Sequence, residues 1–134
     1  GNYSSSSWTP VTLFTEPVSL LDLFCYYKAA DICWTTPLRD GLNLVAKEYI
    51  IAHEGVNGVL ILSEFVGAAI ELPQAILVNP YSSELMDQAI DEALGMPEEE
   101  QREKMAKMYE IVSTYDVQYW ANRFLHHFSN NLKA

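Results

Sequence analysis

The chain is 134 residues long, with 49% apolar residues and a formal net charge of -10; this is enough to bury a core of normal size in one domain, and it excludes a disordered tail. A sequence pI near 4.5 argues against general affinity for nucleic acid or an anionic membrane, because both require a basic face. An anionic ligand would need a local site.

The opening "GNYSSSSW" is polar, and its serine run would read as a linker, but the apolar "VTLFT" behind it predicts a loop leading into a strand. The chain begins at Gly1 without a Met and is expected to be a piece of a larger protein. From Ser19, "SLLDLFCYYKAA" sets Leu20, Leu23, Phe24 and Tyr27 on one helical face with Ser19 as the N-cap. The short "DICWTT" predicts a strand. "NLVAKEYIIAHE" reads as a helix, "GVLILS" as a continuous apolar strand, "GAA" as a small-residue turn and "AILVNP" as another strand.

Three helical patterns follow: "SSELMDQAIDEALGM", "PEEEQREKMAKMYEIVSTY" and "DVQYWANRFLHHFS". Ser82 or Ser83 caps the first, Pro97 with Glu98, Glu99 and Glu100 places proline and negative charge in the first turn of the second, and Asp116 caps the third. The acidic run from Glu98 to Glu103 reads as a solvated, dipole-matched face. Apolar strands without polar alternation, each separated by a helix, predict a parallel sheet with helices on both faces. The expected fold class is α/β, a Rossmann-like unit with a helical tail.

Cys25 and Cys33 stand in apolar contexts and are expected to be buried, reduced and structural. No secretory segment and no bilayer-spanning apolar run is visible in the sequence, which makes the cytoplasm the expected location. His53 lies toward a helix end, and His126 and His127 diverge by about 100° on a helix, a poor geometry for chelation. Met96, Met105, Met108, Tyr119 and Trp120 read as packing residues. There is no Ser-His-Asp signature, CxxC, P-loop or GxGxxG.

Ligands of open α/β sheets bind beyond the carboxyl ends of the strands. Three loops are expected there, on one rim: "TTPLRDGLN", "SEFVGAA" and "NPYSS". In the first, Gly41 lets the backbone approach a ligand, and the amides from Leu42 to Val45 open a helix without intrahelical partners, which suits a phosphate or a sugar oxygen. Asp40 lies in the loop and Glu48 about two turns into the helix, a spacing that lets two carboxylates take hydroxyl pairs on two sugars of one ligand. Asp40-Gly41 is equally a common turn pair, and Lys47 beside Glu48 equally fits surface charge. Arg39, Lys47 and Lys28 form a modest positive cluster. Spacing alone leaves both readings open.

Through "WTP", "TPLRDGLNLVAKEY", "GVLILSEFVGAA" and "NPY", in this order and over nearly the whole chain, the sequence resembles the retaining glycosyltransferases that include trehalose-6-phosphate synthase. Within that family, "AADICWTTPLRDGLNLVAKEY", "ELPQAILVNPY", "MDQAIDEALGMPEEEQ" and "YDVQYWAN" are most similar to the cyanobacterial-type branch that makes glucosylglycerol phosphate. The resemblance implies a two-domain GT-B enzyme. Residues 1–115 would be the later part of its C-terminal, donor-binding domain, and residues 116–134 a helix crossing back toward an N-terminal domain.

It implies transfer of glucose from ADP-glucose to glycerol 3-phosphate with retained configuration, without metal or other cofactor, as part of osmoprotectant synthesis. UDP-glucose with glucose 6-phosphate is the alternative pair. The phosphorylated acceptor would be bound mainly by the N-terminal part, and neither nucleic acid nor membrane is an implied partner. Asp40 and the amides of Gly41, Leu42 and Asn43 would hold the donor glucose, the Leu44 and Val45 amides would face the diphosphate, and Glu48 would take the ribose hydroxyls. Ala46 and Lys47 belong to the same run, and Val18 falls where the family holds the base through main-chain groups. Two other readings stand beside this one: a non-catalytic GT-B-like binding module, and an interaction surface on the acidic helical tail from Glu84 to Phe128.

Overall fold

A computed structural model describes residues 3–5, 7–119 and 121–122. Its elements in chain order are α1 (Leu20–Ala29), β1 (Ile32–Thr35), α2 (Leu44–Ala52), β2 (Val59–Ser63), α3 (Ala68–Glu71), β3 (Ile76–Val78), α4 (Ser83–Gly95) and α5 (Glu98–Thr114). The strands form one parallel sheet in the order β1-β2-β3, with Ile32 opposite Val59 and Ile61 opposite Ile76. Parallel neighbours require crossovers, and α2 and α3 supply them.

β2 is buried along its whole length, which explains why its sequence lacks polar alternation. Leu60 and Leu62 pack on one side with Ala46, Tyr49, Ile50, Met105 and Met108, so α2 and α5 cover that face. Val59 and Ile61 pack on the other side with Ala89, Ala93 and Met96, so α4 covers the second face. Each fully buried aliphatic side chain of β2 contributes about 1.5–3 kcal/mol. The expected α/β architecture is thus the observed one.

Local capping fixes the helix starts. The side chains of Ser19, Asn43 and Ser82 accept from the amides of Asp22, Ala46 and Leu85, and Asp116 accepts from the Tyr119 amide at 2.8 Å. Pro97 is the N-cap of α5 rather than a residue of its first turn, and Glu98, Glu99 and Glu100 follow it. Glu99 pairs with Arg102, Glu100 with Lys104 and Glu103 with Lys107, as a solvated, dipole-matched face should.

Three expectations are corrected. "VTLFT" is irregular, with Val11 and Leu13 more than three-quarters exposed; β propensity alone cannot hold a segment that has no strand to pair with. "GAA" opens the one-turn helix α3 instead of a turn, since Gly67 adopts αR geometry and two alanines follow it. Cys25 is exposed. Cys33 is half-buried, and burial pushes its thiol up to about 11, which leaves it without thiolate character. Residues 117–119 and 121–122 are helical; Trp120, His126, His127 and the rest of the expected C-terminal helix lie outside the described residues. Among the described residues, no helix is long and apolar enough to cross a membrane.

α2 is tied to β1 at its far end by a compact polar group. Tyr49 Oη donates to the Ala30 and Asp31 carbonyls at 3.3 and 3.1 Å, while the buried His53 ring has Nδ1 3.0 Å from the Tyr49 carbonyl and Nε2 3.1 Å from that of Ala30. Burial raises the Tyr49 phenol above its ordinary value of 10.0. Burial, reinforced by a hydrogen bond to Glu48, raises Tyr27 to about 12. The unfolded chain therefore releases these protons first. Their stabilising contribution is complete below the ordinary tyrosine value and is lost as pH rises toward the folded-state values. Urea unfolding of the full-length protein should show a midpoint that falls between about pH 10 and pH 12, and a Tyr27→Phe/Tyr49→Phe double variant should flatten that slope; an unchanged slope would refute the assignment.

Candidate functional site

The three strand-to-helix loops do meet at one rim. The Gly67 amide donates to the Asp40 carbonyl at 3.2 Å, and Asp40 and Val66 form an isolated parallel bridge. The second loop joins the third through the Glu64 amide on the Val78 carbonyl at 3.0 Å and the edge-to-face contact of Phe65 with Tyr81. Asn79 Oδ1 accepts from the Tyr81 amide at 2.9 Å, an Asx turn that shapes the third loop.

Asn43 organises the first loop. It is buried, and its φ of 47° places it in the left-handed region, which a non-glycine residue adopts at a cost unless its side chain finds local partners. It finds three. Oδ1 caps the Ala46 amide at 3.0 Å, and Nδ2 donates to Asp40 Oδ2 at 2.9 Å and to Thr35 Oγ1 at 3.2 Å. The Asn43 amide adds a longer bond to Asp40 Oδ1 at 3.4 Å. The Asp40 carboxylate is therefore held on both oxygens from one side and keeps its remaining lone pairs for another donor.

The start of α2 carries the unpartnered donors. Among the described residues, the amides of Gly41, Leu42, Leu44 and Val45 have no hydrogen-bond partner, whereas Ala46 gives its amide to the cap and is fully buried. A side chain built on Gly41 would meet no protein atom within 4 Å. At Gly67, by contrast, a Cβ would fall on the Gly41 carbonyl oxygen. Of these two loop glycines, the one that chain packing demands is Gly67, and it escaped the sequence reading because the constraint comes from the neighbouring loop.

Farther along α2, Lys47 and Glu48 part ways. Lys47 Nζ pairs with Glu71 Oε2 of α3 at 2.7 Å, with both side chains at least two-thirds buried, so the ammonium is engaged across the fold. The expected cluster with Arg39 and Lys28 loses its central member to this ion pair. Glu48 is exposed and accepts from Tyr27 Oη of α1 at 3.1 Å. Between α1 and α2 runs an apolar groove of about 240 Å³, lined by Leu20, Leu23, Phe24, Tyr27, Leu44 and Ile51, with Lys47 and Glu48 completing its wall. Val18 is half-buried, immediately before the cap of α1, and does not line this groove. Among the described residues, no group of three or more His, Cys, Asp and Glu side chains stands close enough to hold a metal ion.

The loop thus combines a buried asparagine at positive φ, a glycine whose side-chain direction is open and several helix-start amides without a partner among the described residues, and the family comparison is decisive. The model of glycosyltransferase family 20 matches residues 1–130. The chain belongs to glycosyltransferase family 20. Among the curated proteins of this family, glucosylglycerol-phosphate synthase of Synechocystis sp. is 57% identical over 125 residues, covering 93% of this chain and 25% of that protein. Among solved family structures, the α,α-trehalose 6-phosphate synthase of Burkholderia multivorans superposes with a TM-score of 0.91 at 34% identity, over 98% of this chain and 28% of the other. The UDP-forming enzyme of Burkholderia xenovorans, in complex with glucose-6-phosphate, gives a TM-score of 0.89 at 36% identity, over 96% and 28%. The chain spans about a quarter of the length of the curated relatives, and its three-stranded parallel sheet is part of a GT-B fold.

Proposed function

We propose that the full-length protein is a retaining glucosyltransferase that moves glucose from ADP-glucose to glycerol 3-phosphate, and that this chain supplies much of its donor site. The observation that carries the reading is the start of α2: free amides of Gly41, Leu42, Leu44 and Val45 beside a carboxylate held rigidly by Asn43. In the reaction, the bond from the anomeric carbon to the diphosphate oxygen breaks, the acceptor hydroxyl oxygen bonds to that carbon, and its proton departs. Negative charge accumulates on the leaving diphosphate. Helix-start amides with no other partner are suited to stabilise it, most strongly where water is excluded.

Asp40 orients the glucose hydroxyls rather than attacking the sugar, a role that fits a carboxylate tied on both oxygens. The open space around Gly41 admits the sugar to the amides of Gly41 and Leu42. The Leu44 and Val45 amides face the diphosphate, Glu48 takes the ribose hydroxyls, and main-chain groups at Val18 face the base. Asn43, Ala46 and Lys47 act in support: Asn43 holds the loop, Ala46 receives the cap, and Lys47 locks α2 to α3. In this reading residues 1–115 belong to the donor domain and residues 116–134 lead toward a preceding acceptor domain.

The choice of acceptor rests on the higher identity to glucosylglycerol-phosphate synthase of Synechocystis sp., 57%, against 43% for the trehalose-6-phosphate synthase of Mycobacterium ulcerans and 34% and 36% for the trehalose-phosphate enzymes of known structure. Because those relatives include a UDP-forming enzyme bound to glucose-6-phosphate, UDP-glucose with glucose 6-phosphate is the second reading. Product analysis on the full-length protein, crossing both donors with both acceptors, separates them; turnover confined to ADP-glucose and glycerol 3-phosphate is the expected result. Glu48→Ala should raise the donor KM about 10- to 100-fold through loss of charged hydrogen bonds. An unchanged donor KM would remove Glu48 from the ribose.

A further inference from the structure

We infer that Tyr27 is a positioning residue for nucleotide binding, which fixes the Glu48 carboxylate against the ribose through its phenolic hydrogen bond. The inference rests on the reading of Glu48 given above. Glu48 lies on an exposed part of α2 with three side-chain torsions to restrain, and an unrestrained glutamate gives up much rotamer entropy when it closes on a ligand. Lys47, its neighbour in sequence, is held by Glu71. Tyr27 Oη, 3.1 Å from Glu48 Oε2, is the side-chain donor that the described residues place on this carboxylate.

Tyr27 is built for that task. Its ring packs against the core cluster containing Tyr49, Ile50 and Met105, so the phenol is delivered by a body that does not move with the glutamate. Burial keeps the phenol protonated up to about pH 12, so it donates at every physiological pH. It uses Oε2, which leaves Oε1 and the second lone pair of Oε2 for a pair of ribose hydroxyls.

The test is calorimetric titration of ADP and of 2′,3′-dideoxy-ADP into the full-length protein, as wild type, Tyr27→Phe, Glu48→Ala and the double variant. UDP and its dideoxy analogue replace them if product analysis selects that donor. Tyr27→Phe should weaken ADP about 3- to 10-fold, leave dideoxy-ADP within twofold, and add nothing in the Glu48→Ala background; with nucleotide sugar, kcat should stay nearly constant while donor KM rises. If Glu48→Ala weakens ADP and Tyr27→Phe does not, Tyr27 has no positioning role and the ribose reading stands. Equal weakening of ADP and dideoxy-ADP by Tyr27→Phe would make it a purely structural tie and overturn the inference. If Glu48→Ala leaves ADP binding unchanged, the ribose reading falls, and this inference with it.

Discussion

Gly67→Ala should abolish most activity of the full-length protein without unfolding its sheet. The new methyl group would sit on the Gly41 carbonyl oxygen and within 3.2 Å of its carbonyl carbon, and neither is the end of a flexible side chain that could swing away. The Asp40–Gly41 segment must therefore retreat, which breaks the bond from the Gly67 amide to the Asp40 carbonyl and moves the loop proposed to hold the sugar. Overpacking of this kind costs about 1–3 kcal/mol, and a displacement of about 1 Å at the reacting centre costs about 100-fold in rate. Gly41→Ala is the contrasting variant: no protein atom opposes it, so stability should be unchanged and only the donor KM should rise. A Gly67→Ala protein with wild-type kcat/KM and thermal midpoint would disprove the steric argument.

Asn43→Ala should combine the loss of a cap with backbone strain. Deleting the cap costs about 1 kcal/mol, and alanine tolerates the φ of 47° less well than asparagine, by about another 1–2 kcal/mol. Asp40 loses the short Nδ2 hydrogen bond to its Oδ2 and keeps only the long main-chain one at 3.4 Å; a carboxylate released to move by about 1 Å should lower kcat/KM by about 100-fold. Asn43→Gly isolates the two contributions, because glycine accepts positive φ freely but has no side chain to donate to Asp40 Oδ2 or to cap Ala46. It should recover part of the urea stability and little of the activity. If Asn43→Ala stays within 0.5 kcal/mol of wild type, a difference on the order of an ordinary surface substitution, the capping role is wrong.

What could be read from the sequence follows the range of the interaction. Ser19, Ser82 and Asp116 announce their helices because a capping side chain bonds an amide two or three residues on, and the apolar run at Val59–Ser63 announces a covered strand. The Asp40 to Glu48 run was legible for the same reason, as a loop and its own helix start. Tyr27 with Glu48 and Lys47 with Glu71 were not, since these pairs are 21 and 24 residues apart and meet only after the crossovers are built. Gly67 belongs with them. Its requirement comes from the neighbouring loop, and no local pattern distinguishes it from a turn glycine. Val11–Thr15 errs in the opposite direction, because strand propensity is a statement about partners that a single segment does not contain.

α2 is anchored along β1 at both ends, through Asn43 to Thr35 of the strand at its start and through Tyr49 and His53 to the carbonyls of Ala30 and Asp31, which lead into the strand, at its finish. A helix pinned twice to one strand has little freedom to slide or tilt against it. The end of α2 that opens at Asn43 is consequently stiff on its own, and a ligand bound there, as proposed, would leave little ordering entropy to be lost. Under the proposed function, adaptation to different donors would then come from the side chains around this frame, so discrimination between nucleotides would fall to what borders the helix and not to the helix itself.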